Sequence, residues 1–330
     1  MVIRRVLVAG LAAGALAISG CGSDNSTDNA SESPSTGDSG GSAATKYRID
    51  VITHANQGDS FWTVVQNGAE QAGSDLGVDL HYQSNGDVGQ QSTLIDNAVA
   101  DGTDGLVISM ANPDGLKDSI EKAVSAGVPV ITINSGIDQW KAFGAITHVG
   151  QSETLAGQAA GEQLNEMGVT NVICVIQEAG NVGLEDRCKG AASTFKGTME
   201  NLQTDNTDLP KSQTTIEGKL QQDSSIDGIL SLGGDMSGAA VAAVESTGST
   251  AKIGTFDVNA DVVQNIIDGK IVFAIDQQPY VQGYLGVVGI YLKVINGNDI
   301  GGGQPVYSGP AIITKDNAAS VLKFAKQGTR

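Results

Sequence analysis

Short apolar runs alternate with segments of helical period along most of this chain. Residues 48–53 read as a strand. Residues 62–76 read as a helix, with Val65, Ala69 and Ala72 on one face and Gly77 as its stop. A second strand follows at 78–82, and Leu94, Ile95, Ala98 and Val99 stripe a second helix. Strand 105–109, a helix marked by Leu116, Ile120 and Val124 and closed by Gly127, and strand 128–133 complete a first series. The pattern restarts after Gly150, with helix 153–167, strand 171–176, helices 184–198 and 211–222, and strand 228–232. Helix 235–246, strand 252–256, helix 258–267 and strand 271–275 follow, and a long helix over 280–295 precedes a Gly-rich link at 297–303. Near-continuous apolar strands between helices are typical of a parallel sheet covered on both faces. The expected fold is α/β: two doubly wound parallel-sheet lobes in series, joined by a hinge. Ligands of such sheets sit beyond the carboxyl ends of the strands, so the cleft between the lobes is the place for chemistry.

The first forty-five residues break the pattern. Arg4 and Arg5, an apolar run over 6–18 and then Ser19 and Gly20 have the order of an export signal over 1–20. The run is shorter than the roughly 20 residues needed to span a bilayer. Ile18-Ser19-Gly20-Cys21 resembles a bacterial lipobox, which implies cleavage before Cys21 and a lipid on its sulfur. A plain secretory signal with an incidental Cys is the alternative. Residues 21–45 are rich in Ser, carry Asp24, Asp28, Glu32 and Asp38, and hold no Lys, Arg or large apolar side chain. Such a segment cannot bury enough surface to offset its ordering entropy and reads as a flexible tether. The remaining length suits two domains. The expected first lobe spans 46–150 plus 277–304, and the second 151–276 plus 305–330.

Composition narrows the function. The 330 residues hold 40% hydrophobic side chains, enough for ordinary cores. With 19 Lys and Arg against 37 Asp and Glu the net charge is −18, the wrong sign for nucleic acid, whose phosphates need clustered cations. No G-x-x-x-x-G-K-[ST] loop occurs, and Gly233 to Gly238 only loosely imitates a dinucleotide loop. His54, His81 and His148 lie too far apart for a metal motif, and no Ser from residue 46 onward has the G-x-S-x-G context. Neither a metal nor a cofactor is expected, and the chain does not read as an enzyme.

Polar and aromatic residues instead gather at the strand ends. Polyhydroxyl ligands need planar donors and acceptors together with aromatic faces. His54, Asp59, Phe61 and Trp62 follow the first strand, and Asn134 and Ser135 end the fourth. Asn181 and Arg187 follow the strand at Cys174, Asp235 the strand at Leu230, Asp257 the strand at Phe256, and Gln277 the strand at Ile275. Each has a plainer alternative. Phe61 or Trp62 serves the core, Asp235 or Asp257 caps a helix, Arg187 pairs with Glu185 or Asp186, Gln277 caps the hinge, and His54 is a satisfied structural histidine.

This order of motifs resembles the ribose-type periplasmic sugar-binding proteins of ABC transporters, from residue 47 to residue 325. Gly58-Asp-Ser-Phe-Trp62 is similar to a stretch whose two aromatics sandwich the sugar, which implies Phe61 and Trp62 as stackers and Asp59 as a hydroxyl partner. His54 falls at a small polar contact. Gly127 to Asn134 resembles the segment ending in a sugar-binding Asp, here Asn134 followed by Ser135 where the family often has Arg. Arg187-Cys-Lys-Gly190 resembles the family's Arg-x-x-Gly, Gly234-Asp235 its Asn-Asp pair with Gly in place of Asn, Thr255-Phe-Asp257 its Gly-Phe-Asp, and Gln277 its hinge Gln. The two departures, Ser135 and Gly234, remove donors used for pentopyranoses and leave another pentose, a hexose or a sugar alcohol open. The resemblance implies the type I periplasmic-binding fold, lobes that close on a small neutral carbohydrate or polyol, and a surface read by ABC permease subunits. The protein is then expected as a monomer, lipid-anchored at the outer face of the cytoplasmic membrane. Arg187→Ala is expected to weaken sugar binding more than tenfold and leave the fold intact.

Cys174 and Cys188, 14 residues apart, are the even pair left once Cys21 is lipidated; export favours a disulfide between them, two buried thiols being the alternative. Three competing functions share parts of this pattern. A sensory or quorum-signal receptor shares the whole fold, an extracellular sugar-cleaving enzyme would bring Asp59 and Asp257 together, and a lactose-repressor-type regulator would need an N-terminal helix-turn-helix that is absent.

Overall fold

The computed structural model describes residues 46–330; the expected export signal (1–20), lipid-bearing Cys21 and tether (21–45) lie outside the described residues. The chain begins with β1 (Arg48–Thr53), α1 (Ser60–Leu76), β2 (Asp79–Ser84), α2 (Val88–Ala100), β3 (Gly105–Ser109), α3 (Pro113–Ser125), β4 (Val130–Ile133) and β5 (His148–Gly150). It enters a second sheet through α4 (Glu153–Met167), β6 (Asn171–Ile176), α5 (Val182–Thr194), β7 (Thr198–Gln203), α6 (Leu209–Gln222) and β8 (Gly228–Ser231). There it continues as α7 (Gly234–Thr247), β9 (Lys252–Phe256), α8 (Ala260–Asp268) and β10 (Phe273–Asp276). It returns to the first sheet with α9 (Pro279–Asn296) and β11 (Val306–Tyr307), and ends in the second with β12 (Ala311–Thr314) and α10 (Ala318–Lys326).

The two sheets correspond strand for strand, in the orders β11-β5-β4-β3-β1-β2 and β12-β10-β9-β8-β6-β7. Every pairing is parallel except β12 against β10. Each sheet is covered on both faces, which is why its central strands are apolar without interruption. In β3, Val107 joins a core under α1 and α9 with Val65, Val287 and Ile290, while Leu106 and Ile108 join a core under α2 and α3 with Ile95, Leu116 and Ile120. The second lobe repeats the arrangement around Ile173, Val175 and Ile229 on one face and Val172, Cys174 and Leu230 on the other.

Glycines set the helix pairs that flank the sheets. On α1 and α9, a Cβ at Gly68 would strike the backbone of Tyr280, and one at Gly283 the backbone of Val65. On α4 and α5, a Cβ at Gly190 would strike the backbone of Thr154, and one at Gly157 that of Arg187. The two pairs are therefore in the same register, with Val65 matching Arg187 and Pro279 matching Glu153. Both pairs pack backbone to backbone because nothing larger than hydrogen fits.

Three details differ from the sequence reading. The helix expected through 198 ends at Thr194, and Thr198–Gln203 is an edge strand instead; its mostly exposed, polar side chains carry no apolar pattern. The first lobe runs past the boundary expected at 304, because β11 pairs with β5, so the last crossover lies between Tyr307 and Ala311. The tail also forms β12 and α10, on which Ile313, Ala318, Val321 and Ala325 enter the second core. Among the described residues no helix is long and apolar enough to cross a membrane.

Candidate functional site

The carboxyl ends of the two sheets face each other, and the lobes are closed. The backbone N–H of Val182 donates to Ala111 O across the cleft at 3.0 Å, Asn56 Nδ2 to Asn206 Oδ1 at 3.4 Å, and Asn67 Nδ2 to Gly328 O at 2.9 Å. A cavity lies between the lobes. Of the expected residues, His54, Phe61, Trp62, Asn134, Asn181, Arg187, Asp257 and Gln277 line it; Asp59 and Asp235 do not.

Asp59 is the N-cap of α1. Its Oδ1 accepts the N–H of Phe61 at 2.9 Å and of Trp62 at 3.3 Å, satisfying two donors the helix start leaves free. Burial pushes its carboxyl up to about 6 in spite of those bonds, with Asp235 and Glu178 adding to the effect. It opens onto a side groove with Tyr82 and Asn85 rather than onto the cavity, so it does not meet Asp257 there as a sugar-cleaving pair would require. Asp235 lies in the first turn of α7, whose N-cap is Gly233, and turns toward the other lobe. Ser60 donates to it from its N–H at 3.2 Å and from Oγ at 2.6 Å, and Asn259 Nδ2 donates at 3.2 Å. It bolts the cleft shut from outside. A sequence gives the strand end but not which way a first-turn carboxylate turns.

The first lobe supplies rings and neutral groups. Trp62 is buried, belongs to the core under α1 and also lines the cavity. Phe61 stands edge-on to it with ring centres 5.1 Å apart, and His54 likewise at 4.7 Å. His54 Nδ1 pairs with Ser109 Oγ at 2.7 Å, and the same oxygen accepts the His54 N–H at 3.0 Å. Burial lowers the pKa of His54, against the pull of Glu178, which lies 3.9 Å from its Nε2. Asn134 follows β4 with φ at 65°, a left-handed backbone that Asn tolerates better than most residues.

The second lobe supplies charge. Arg187 pairs with neither Glu185 nor Asp186. Its Nε–H and an Nη2–H donate to Glu153 at 2.6 and 3.1 Å, an Nη1–H donates to Leu232 O at 2.9 Å, and the guanidinium lies 4.6 Å over the ring of Phe256. Burial alone would lower its pKa, but Glu153 and Asp257 carry it above the ordinary value. Asp257 is no helix cap. It follows β9, also with φ at 65°, and its Oδ1 accepts from Gln277 Nε2 at 2.7 Å. Burial lifts its carboxyl to about 7, opposed by Arg187 and Gln277. Gln277 stands on the crossover after β10 and joins the lobes: its Oε1 accepts from Asn134 Nδ2 at 3.1 Å and from Gln282 Nε2 at 3.0 Å. Asn181 caps α5 and donates from Nδ2 to Glu178 at 2.9 Å.

Gln177 and Glu178 were missed by sequence reasoning, and both line the cavity. They follow β6 as His54 follows β1, so the rule that found His54 reaches them too. Gln177 Oε1 is buried without a partner among the described residues, on a residue that lines the cavity. Ser135, set down as a lost donor, also lines the cavity and donates from Oγ to Asn134 Oδ1 at 2.8 Å. At Gly233 a Cβ would sit 2.7 Å from Gln177 Nε2, so a side chain there would crowd Gln177. A disulfide joins Cys174 on β6 to Cys188, the neighbour of Arg187 on α5. Buried donors and acceptors around flat rings are suited to holding a small hydroxylated ring.

Known proteins share this architecture. A crystal structure of a carbohydrate transporter from Acidothermus cellulolyticus 11B in complex with myo-inositol is 44% identical, covers 86% of this chain and 100% of its own, and has a TM-score of 0.85. The xylose/arabinose-binding protein of Sulfolobus acidocaldarius is 27% identical over 272 residues, 76% of this chain and 67% of that protein. The fructose import binding protein of Bifidobacterium longum is 25% identical over 289 residues, 84% of each. Residues 49–298 match the model of the periplasmic binding protein domain. With that match spanning both lobes and the cleft between them, the chain belongs to the periplasmic binding protein family and is a solute-binding protein, not an enzyme.

Proposed function

We propose that this protein is an extracytoplasmic receptor that closes over a monosaccharide or cyclic polyol and presents it to the permease of an ABC importer. It is held at the membrane by lipid on Cys21. The observation that carries the reading is the closed cavity itself: two aromatic rings on one wall, Arg187, Asp257 and Glu178 on the other, and Asn134 and Gln277 joining them. Hydroxyls of a ring donate to carboxylates and accept from guanidinium and amide, while the ring's C–H faces lie against Trp62 and Phe61. The complex of the 44% identical relative makes myo-inositol the first ligand to test, and the pentose- and fructose-binding relatives make D-xylose, L-arabinose and D-fructose the next.

Calorimetric titration of the soluble part, residues 46–330, against these four compounds is expected to give saturable binding of at least one. Failure of all four, and of a wider set of pentoses, hexoses and polyols, would reject the reading. The anchor is tested separately: metabolic fatty-acid labelling of the full chain should be lost in Cys21→Ser, and equal labelling of both would remove that part.

A further inference from the structure

Among the described residues Arg187 is the only Lys or Arg lining the cavity, yet most of its hydrogen-bonding fork is spent within the protein. Glu153 takes its Nε–H and an Nη2–H, and Leu232 O takes an Nη1–H. Of five N–H groups, two are left, one on each terminal nitrogen. Gln151 Nε2 donates to the same Glu153 Oε2 at 2.9 Å, so the residue beside the first crossover fixes the carboxylate in turn. Both partners of the ion pair are buried, their side chains 4% and 3% exposed.

Packing does not ask for this pair. The matching positions in the first lobe, set by the same glycine contacts, hold Val65 and Pro279, both buried and apolar. A buried ion pair is seldom better for stability than apolar residues of similar size, because desolvation of two charges offsets their attraction. Its presence in only one of two equivalent places ties it to the site.

We propose that Glu153 is a positioning and specificity-determining residue, which aims the two remaining N–H groups of Arg187 into the cavity and cancels the guanidinium charge, so that the site reads neutral hydroxyls and rejects anionic sugars. The inference rests on the polyol-receptor reading above. An unpaired guanidinium would grip a sugar carboxylate bidentately. With Glu153 occupying the fork, an anion entering the cavity meets Asp257 and Glu178 and, among the described residues, no free cation. Glu153 and Arg187 lie on α4 and α5 of one lobe, so the pair does not depend on closure and the donors are fixed before the ligand arrives.

The test is titration of myo-inositol and of D-glucuronate into wild type and Glu153→Gln, alongside the NMR signal of the Arg187 Nε–H in the unliganded proteins. Wild type should bind D-glucuronate at least a hundredfold more weakly than myo-inositol. Glu153→Gln should lose tenfold or more for myo-inositol, narrow the discrimination at least tenfold, and lose the slow water exchange of the Nε–H. An unchanged ratio in folded Glu153→Gln, or equal binding of both ligands by wild type, would overturn the proposal. Should Glu153→Gln fail to fold, Glu153→Asp keeps the charge and shortens the reach: it should weaken myo-inositol without admitting glucuronate, and wild-type affinity there would overturn the proposal equally. If wild type binds no polyol, the functional reading falls instead. The Nε–H then decides alone, protection in wild type upholding the positioning role of Glu153 and rapid exchange overturning it.

Discussion

The two lobes share one strand order and face the cavity with different chemistry. Asn134 and Asp257 stand one residue beyond the equivalent strands β4 and β9, both with φ at 65°. One is neutral and the other is a carboxylate. The first lobe adds His54, Phe61 and Trp62; the second adds Gln177, Glu178 and Arg187. The doubled fold thus fixes where side chains stand, and the residues at those places divide the work. One wall offers flat faces, the other fixed charges, and Gln277 ties the two together through Asn134 and Asp257.

The largest effect should come from breaking the charged wall. Arg187→Ala leaves Glu153 buried without its partner, so a cost in stability is expected that the sequence alone did not imply. A loss of about 3–5 kcal/mol of stability is expected, together with at least a hundredfold loss of ligand affinity. Denaturant unfolding and titration read the two effects, and an unchanged unfolding midpoint would contradict the buried pair. On the other wall, Trp62→Leu keeps much of the core volume and removes the ring. About a tenfold loss of affinity is expected from an aromatic contact worth roughly 1.4 kcal/mol, and no loss would return Trp62 to the core alone.

Proton linkage sharpens the contrast further. Asp257 is lifted from 3.8 to about 7 by burial, so folding takes up a proton between those values. Its contribution therefore makes the protein less stable as pH rises through that window. Asp59, at about 6, acts in the same sense. Burial holds His148 down at about 3 and lowers His54, so both act oppositely, costing stability as pH falls below 6.5. Asp257→Asn removes only the first contribution. The variant should gain on wild type steadily from pH 4 to pH 8 in thermal unfolding, and a pH-independent difference would contradict the buried carboxylate. The smallest effect belongs to the outer bolt. Ser60→Ala removes one donor to Asp235 across the cleft, worth about 1 kcal/mol, so ligand release in stopped flow should quicken about fivefold with entry unchanged. Slower entry instead would place Ser60 in the cavity.

Much of this was legible in the sequence. The alternation of apolar strands and striped helices marks the buried sheets, because a strand covered on both faces has no polar side to hide. The edge strand Thr198–Gln203 lacks that signal, since exposure lets polar residues in, and the tail strands, two and four residues long, are too short to show it. At the site, strand ends point to the cavity residues, as His54, Arg187 and Asp257 illustrate. Direction was not legible: Asp59 turns back to its own helix and Asp235 to the opposite lobe. Glu153 stayed hidden because it lies 34 positions from Arg187 and meets it only where glycines let α4 and α5 touch.

A crystal structure of the protein grown with myo-inositol puts the central claim to its most direct trial. The ring should lie between the lobes against Trp62 and Phe61, with hydroxyls within hydrogen-bond distance of Asp257 and of the two free N–H groups of Arg187. A ligand seated elsewhere, or one in the cleft that touches neither Arg187 nor Asp257, would contradict it.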